Sequence, residues 1–334
     1  MVRFITSLKF FIYSVFFVFI TVSASFGQEK SDKPSQGRPR ALIFSNFHKN
    51  FEGDNKSSAF EILRAYLGYE YNFNSEWYGY VVLDVGDPES GEHEFSAFLK
   101  NAYIRYKNSD LTFLFGMIPT TQFKVAEDIW NLRYVDEVFQ DLYGFSSSAD
   151  LGFTIQYDFT DFISADFSVF NGEGYHNLQS DDYLQPSLGI TITPFKSITG
   201  RFYGDMQGGD VKQYSYSAFI AYDDKLLTVG AEYNYQKNVD MIKGRDRFGP
   251  SFFITYSPWP NVLAFGRFDY LSSNMVNNKT EPWQVAADGS LLMAGIEYEP
   301  IKGVKFAPNY RLWNPTINSV PYRHSLYLNC EVRF

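Results

Sequence analysis

Charged residues recur at alternate positions within long segments of the chain that are otherwise apolar. In the segment 227–235, for example, Val229 and Tyr233 alternate with Glu232 and Asn234. An ionised side chain is costly against lipid, so residues placed in this way must face water or one another. The charged residues of these polar rows are Arg64, Glu70, Asp84, Arg105, Asp150, Asp166, Arg201, Asp205, Glu232, Arg267, Asp269, Glu297, Lys305, Arg311, Glu331 and Arg333. They form a hydrated surface that either guides solutes or pairs across neighbouring strands, and both alternatives stay open.

The histidines and carboxylates show no pattern typical of a catalytic or metal site. The four histidines are His48, His93, His176 and His324, and neither an HExxH nor a GxSxG sequence occurs. A barrel lipase would need a histidine near its outer lipid face, where only His324 is suitably placed. We therefore expect that the protein is not an enzyme and uses no cofactor and no metal.

The longest connector between the alternating segments, loop 119–148, holds many charged and aromatic residues. Its charged residues are two cations and five carboxylates: Lys124, Arg133, Glu127, Asp128, Asp136, Glu137 and Asp141. If this loop narrows a water-filled passage, its composition favours the passage of cations or neutral solutes over that of anions. The loop's aromatic residues either stack against sugars or form the apolar face of a short helix packed on a wall, and we favour packing. These residues are Trp130, Tyr134, Phe139 and Tyr143.

The elements that position these residues are β-strands, because the alternation has a period of two. About sixteen such segments follow one another from residue 41 to residue 334, joined alternately by short turns and longer loops. They are near the length of about 9–11 residues that crosses a membrane, whereas strands of soluble sandwiches and propellers average about 5–6 residues. The sequence predicts an all-β fold, a transmembrane antiparallel β-barrel with short periplasmic turns and longer extracellular loops.

Both the amino terminus and the composition agree with an exported barrel. Arg3 and Lys9 precede an apolar run and a small-residue stretch, which predicts a signal peptide over residues 1–27. Residues 28–40 are polar and predict a disordered leader, followed by the barrel at 41–334. The chain contains 34 Phe and 25 Tyr, which suit a lipid-facing surface. Its formal net charge of -9 disfavours nucleic acid as a partner.

The last strand, 323–334, resembles the closing strand of bacterial outer-membrane barrels. Leu326 and Leu328 share its apolar face, Tyr327 lies on its polar face, and the chain ends on Phe334. The resemblance implies that the barrel assembly machinery is a partner and reads this strand as an assembly signal, with Tyr327 and Phe334 as its aromatic residues. It also implies that the protein resides in the bacterial outer membrane, with lipid around the barrel.

Three further stretches resemble the phosphate-selective porin O and P family: Gly116–Phe123, Ala149–Tyr157 and Val169–Tyr175. The resemblance implies a homotrimer with a narrow pore, in which loop 119–148 folds back into the lumen as the constriction. It also implies a ladder of arginines along the lumen. The residues suited to that ladder are Arg64, Arg105, Arg201, Arg267 and Arg311. The loop is acidic where anion-selective members are basic, which departs from the family's pattern.

Two functions follow from this barrel. The first is a porin that lets small hydrophilic solutes or ions diffuse passively through a lumen narrowed by loop 119–148. The second is a barrel with a plugged lumen that serves mainly as a surface binding or structural protein. Single-channel conductance separates them, because only the first forms an open pore.

Overall fold

The computed structural model describes residues 36–53, 55–86, 95–276, 280–317 and 320–334. The predicted signal peptide and the first part of the predicted leader lie outside these residues. The described residues form sixteen strands. The strands are β1 (Gln36–Glu52), β2 (Asn55–Asn72), β3 (Trp77–Gly86), β4 (Ser96–Asn108), β5 (Leu111–Pro119), β6 (Ala149–Thr160), β7 (Ile163–Phe170), β8 (Gln185–Phe195), β9 (Ile198–Gln207), β10 (Gln213–Asp223), β11 (Leu227–Lys237), β12 (Arg247–Trp259), β13 (Val262–Ser273), β14 (Gly289–Ile301), β15 (Val304–Pro315) and β16 (Arg323–Arg333).

Each strand pairs antiparallel with the next, and the first strand pairs with the last. The β1–β16 ladder runs from Leu42 opposite Arg333 to Glu52 opposite Arg323 and closes the barrel. Ala41 and Phe334 extend that ladder with a reciprocal pair of backbone hydrogen bonds of 2.8 and 3.1 Å. Closure leaves no unpaired sheet edge. The predicted fold, an antiparallel barrel of sixteen strands, is confirmed.

The predicted boundary between leader and barrel, after Arg40, is too late in the chain. Strand β1 begins at Gln36, and residues 36–40 pair with the end of β2, with Arg38 opposite Glu70. The polar composition of this stretch indicated disorder. In the barrel, however, Glu70 accepts hydrogen bonds from Arg38 and Arg40, and this pairing extends the strand.

The two faces of the strands differ as the alternation predicted. On β11, Val229 and Tyr233 are exposed on the outside, whereas Glu232 and Asn234 are buried on the inside. Outward tyrosines stand at the short-turn ends of six strands, where an interfacial aromatic girdle is expected. They are Tyr71, Tyr106, Tyr157, Tyr222, Tyr256 and Tyr298. Among the described residues, no helix is long and apolar enough to cross a membrane.

The connectors at the two ends of the barrel differ in length and in construction. Several short turns are closed by one polar side chain, as where the Asp224 carboxylate accepts from the backbone N–H groups of Leu226 and Leu227. The longer connectors carry the helical segments of the described chain. These are α1 (Lys124–Trp130), α2 (Phe139–Leu142) and a single 3₁₀ turn at Val239–Met241. Both α-helices belong to loop 119–148.

Candidate pore and its inward loop

Loop 119–148 runs inside the barrel. It leaves β5 after Pro119, and the Thr120 hydroxyl donates to the Ser147 carbonyl at 2.6 Å, which ties the two ends of the loop together. Between these ends, Trp130 of α1 is almost fully buried. Its ring centroid lies 5.2 Å from that of Phe253 and 6.2 Å from that of Phe265, on the inward rows of β12 and β13.

The loop packs on an apolar patch of the inner wall. Inward positions of β1, β10 and β12–β15 carry apolar residues there rather than the polar residues of the other inward rows. These wall residues are Phe44, Phe219, Ala221, Phe253, Phe265, Leu291, Met293 and Ala307. The loop covers them with Phe123, Ala126, Trp130, Leu132, Tyr134, Val135 and Val138. Burial of this apolar surface is the main force that holds the loop in place.

Of the two roles open to the loop's aromatic residues, packing is the one that the structure shows. Trp130, Tyr134 and Phe139 are each at most 1% exposed, so their rings present no face to a solute. The Tyr134 hydroxyl donates to the Glu297 carboxylate on β14 at 2.9 Å. Tyr143 is half-buried against Phe139.

Arginines on the wall hold the backbone of the loop by donating to its carbonyl groups. Arg201 donates to the Thr121 carbonyl at 2.8 Å, and Arg311 donates to the Val135 carbonyl at 2.5 Å. Arg267 donates to the Glu137 carbonyl. Because hydrogen bonds from charged donors are stronger than neutral ones, these contacts fix the path of the loop.

Each of these three arginines also pairs with a carboxylate. Arg201 pairs with Asp166 at 2.7 Å, and Arg267 with Asp269 at 2.6 Å, both on the wall. Arg311 pairs with Asp136 of the loop itself at 3.1 Å. The three guanidinium groups of the predicted ladder are therefore engaged by the loop and by buried carboxylates.

Sequence reasoning missed a fourth arginine of this kind. Arg247 donates to the carbonyls of Tyr143 and Gly144 at 2.8 and 2.5 Å, and to the Gln236 side chain at 2.9 Å. Arg247 is the first residue of β12. Its spacing of two and four residues from Gly249 and Ser251 on the inward row is the signal that could have found it.

The other two arginines of the predicted ladder lie on β2 and β4, and in the described part of the chain neither donates to the loop backbone. Arg64 of β2 lies 3.5 Å from the Asp84 carboxylate, and Arg105 of β4 lies over the Tyr78 ring at 4.5 Å from its centroid. The five arginines thus divide into three that hold the loop backbone and two that do not. A conducting role for them stays a prediction.

The remaining charges of the loop form a compact network around Arg133. Its guanidinium pairs with Glu127 at 2.7 Å, with Glu137 at 3.1 Å, and with Asp141. Burial raises the pKa of Glu137 to about 7, and nearby Asp141 adds to this, while Arg133 and Arg64 oppose it. The effect of Arg64 shows that the loop's acidic residues and the β2 wall lie within electrostatic reach of each other.

Lys124 and Asp128 pair on the exposed side of α1, one helical turn apart. Lys124 also lies 3.9 Å from Glu127. When Arg311 is counted with Lys124 and Arg133 against the five carboxylates, a net charge of -2 remains around the loop. The loop therefore presents a mixed rather than a purely acidic surface.

The wall formed by β2–β4 carries a group of half-buried tyrosines, which we call the tyrosine wall. It consists of Tyr66, Tyr78, Tyr80 and Tyr103, together with Tyr175 from the connector between β7 and β8. Lys100 lies between two of these rings, 4.8 Å from the centroid of Tyr66 and 5.2 Å from that of Tyr175. A register shift between β3 and β4 leaves Lys100 outside the regular pairing, and its side chain is buried on the inward side.

Two of the cavities that adjoin the loop lie toward opposite ends of the barrel. The larger, of about 550 Å³, lies toward the short-turn end and is bordered by Arg40 and Tyr80 on the wall and by Phe123, Glu127 and Arg133 on the loop. The smaller, of about 350 Å³, lies toward the opposite end, where Asp136 and Arg311 meet Trp313 and Arg323. Among the described residues, no group of three or more His, Cys, Asp or Glu side chains could hold a metal ion.

The residues of the predicted assembly signal lie on opposite faces of the end of the chain. Tyr327 points inward, with the Arg311 guanidinium 4.0 Å from its ring centroid. Phe334 points outward, and its side chain is exposed. Their role in assembly stays a prediction.

No protein-family model matches this chain, and no curated protein matches it. Solved structures do. The outer-membrane channel DcaP of Acinetobacter baumannii is similar with a TM-score of 0.65 at 11% identity, over 92% of this chain and 100% of DcaP. OprB of Pseudomonas putida gives a TM-score of 0.66 at 9% identity, over 89% of this chain and 94% of OprB. The trimer form of in-vitro folded OmpT of Vibrio cholerae gives a TM-score of 0.61 at 12% identity, over 90% of this chain and 100% of OmpT. The chain has the fold of outer-membrane channel barrels.

Proposed function

We propose that this protein is a porin of the bacterial outer membrane, through which small hydrophilic solutes and ions diffuse passively. The observation that carries the proposal is the position of loop 119–148. The loop is fastened along one wall by buried apolar residues and arginines, and cavities remain beside it at both ends of the barrel. A loop held in this way narrows a lumen without filling it. No chemical step is part of this function.

The outer surface supports the location in a membrane. Large apolar side chains such as Phe115, Phe202, Ile220 and Leu292 are exposed on the outside of the barrel. An apolar surface of this extent is stable against lipid and unfavourable against water. The outward tyrosines at the short-turn ends then lie at the headgroup level.

Selectivity depends on charge pairing around the loop. Arg133 and Arg311 pair with four of its five carboxylates, and Lys124 pairs with the fifth. Three positive charges then stand against five negative ones, so we expect a weak preference for cations. Phosphate selectivity is not part of the proposal, since three of the arginines suited to a ladder are engaged by the loop and by carboxylates.

The proposal includes a homotrimer assembled by the barrel assembly machinery. The trimer form of the OmpT structure supports this for a barrel of the same fold. Chemical crosslinking of the purified protein in detergent tests the subunit number, with a three-subunit band as the expected result.

Recording from the mature protein in a planar lipid bilayer tests the porin function. We expect stepwise ohmic openings, with a reversal potential close to zero or weakly cationic under a salt gradient. Polyethylene glycols of graded size then measure the width of the pore, and a variant in which residues 121–147 are replaced by a short glycine linker should admit larger polymers. A folded protein that stays silent would instead support a plugged barrel that serves as a surface binding or structural protein.

A further inference from the structure

We infer that the part of the tyrosine wall on β3 and β4, formed by Tyr78, Tyr80 and Tyr103, is a binding strip for neutral sugars in the half of the lumen next to the short turns. The inference rests on the proposed porin function and specifies its solute class. It moves the sugar-stacking role from the loop aromatics, which are packed away, to aromatic residues that the sequence analysis did not single out. Three features of the wall carry it: the ring faces, the hydroxyl groups and the charge pairing.

The rings of the wall form a continuous aromatic surface on β3 and β4. The centroids of Tyr78 and Tyr80 lie 6.2 Å apart with nearly parallel planes, and Tyr103 lies 5.7 Å from Tyr80 and 6.4 Å from Tyr78. All three are half-buried on the inward row. Tyr80 lines the larger cavity, and the Arg105 guanidinium lies over the Tyr78 ring. The C–H face of a pyranose ring is apolar and flat, and it packs well against such rings.

The hydroxyl groups of the wall fall into two classes. Tyr78 donates to Glu70 at 3.2 Å and Tyr175 donates to Asp84 at 3.0 Å, so these two rings are fixed by protein partners. Within the described part of the chain, the hydroxyls of Tyr80 and Tyr103 make no hydrogen bond to protein. Each can therefore both donate to and accept from the hydroxyls of a solute.

Most charges around the wall are paired, which favours a neutral solute; Arg105, whose guanidinium lies over the Tyr78 ring, has no carboxylate partner among the described residues. Arg40 lies 2.6 Å from Glu70, Lys100 lies 3.7 Å from Asp84, and Arg133 lies 2.7 Å from Glu127 across the cavity. A free anion or cation would have to compete with an existing partner for each of these groups. The hydroxyls of a neutral sugar need not displace a pair, because ionised groups with spare hydrogen-bonding positions bind neutral donors and acceptors strongly.

The opposite side of the cavity suits the same solute. Phe123 of the loop contributes an apolar surface, and Glu127 and Arg133 contribute an acceptor and a donor. The cavity of about 550 Å³ lies within the range of small-molecule sites. A sugar in this cavity meets the rings of Tyr66 and Tyr80 on one side and hydrogen-bonding groups on both sides. Tyr78 and Tyr103 continue the aromatic surface next to Tyr80.

Block of the ion current by maltotriose tests the inference in a planar bilayer. Wild-type protein should show a concentration-dependent block from the side of the short turns. In the double variant Y80A/Y103A the half-blocking concentration should rise about tenfold, since each aromatic contact contributes modestly and the two add. The variant Y80F/Y103F keeps both rings and should stay within about threefold of wild type, because only neutral hydrogen bonds are lost.

The double variant Y216A/Y233A is the matched control, because it removes two tyrosines that are exposed on the outer face. It should block as wild type does. If Y80A/Y103A and Y216A/Y233A conduct and block equally, the wall does not bind sugar and the inference is overturned. Continued conductance of every variant shows that the barrel is folded and open. Absence of conductance in the wild type would overturn the porin function instead.

Solutes of matched size separate the inference from its charged alternatives. Glucose should block at lower concentration than glucuronate or glucosamine, which share the ring but carry a charge. Glucose should also block better than mannitol, which is neutral but has no ring face. Preference for either charged sugar, or equal block by mannitol, would contradict a site built for neutral pyranose rings.

Discussion

The inner surface of the barrel has two contrasting walls, one covered by loop 119–148 and one bordering the larger cavity. On the covered wall, β10 and β12–β14 carry Phe219, Phe253, Phe265 and Met293, each at most 6% exposed. On the open wall, β2–β4 carry half-buried tyrosines and paired charges such as Lys100 with Asp84. Both walls arise from the same alternation along the strands. The difference teaches that inward apolar residues mark the part of a lumen that another segment covers.

The arginines of the two walls differ in the same way. On the covered wall, Arg201, Arg247, Arg267 and Arg311 donate to carbonyls of the loop. On the open wall, Arg105 lies over a tyrosine ring. Inward arginines on the covered wall therefore hold the loop backbone, whereas Arg105 on the open wall is part of the pore surface.

The comparison is tested most severely by removing one large ring from each wall. Trp130→Ala empties a fully buried site between Phe253 and Phe265, and we expect it to lower the free energy of unfolding by about 3–5 kcal/mol. Tyr80→Ala removes a half-buried ring beside a cavity and should cost about 1 kcal/mol. Urea unfolding in detergent, followed by the loss of the compact gel band, measures both. If the two variants lose the same free energy of unfolding, the loop is not packed as described.

A smaller effect is expected from one arginine on each wall. Arg311→Met leaves Asp136 and the Val135 carbonyl without their donor, and should cost about 1.5–3 kcal/mol. Arg105→Met removes a contact with the Tyr78 ring and should cost about 0.5–1 kcal/mol. In bilayer recordings, R311M should also show noisier openings as the loop loosens, while R105M stays quiet. A stable, quiet R311M would mean that Arg311 does not anchor the loop.

The smallest effect concerns the acidic group that lies between the two walls. Because burial raises the pKa of Glu137 to about 7, its carboxyl is mostly neutral below that pH and mostly charged above it. Negative charge therefore appears in the lumen as the pH rises from 6 to 8, and the preference for cations should increase modestly over that interval. Reversal potentials under a salt gradient measure this. E137Q should lose the pH dependence; if it keeps it, another group titrates.

Local pattern was sufficient to predict the strands. The period of two assigned Val229 and Tyr233 to the outside and Glu232 to the inside, and the structure agrees. The same pattern gave about sixteen strands, because the direction of a side chain on a strand depends only on its position in the alternation. The start of β1 was missed because its polar residues are ordered by partners on β2.

The alternation could not predict which inward residues the loop covers and which border the lumen. The sequence established a barrel, its two faces and a long loop rich in charged and aromatic residues. It left open whether Trp130 faces a solute or a wall, and it grouped five arginines that the structure separates. Those questions were decided by contacts between residues more than a hundred positions apart, such as Trp130 with Phe253 and Arg267 with Glu137. Such contacts form only when the barrel closes, since closure brings distant strands around one loop.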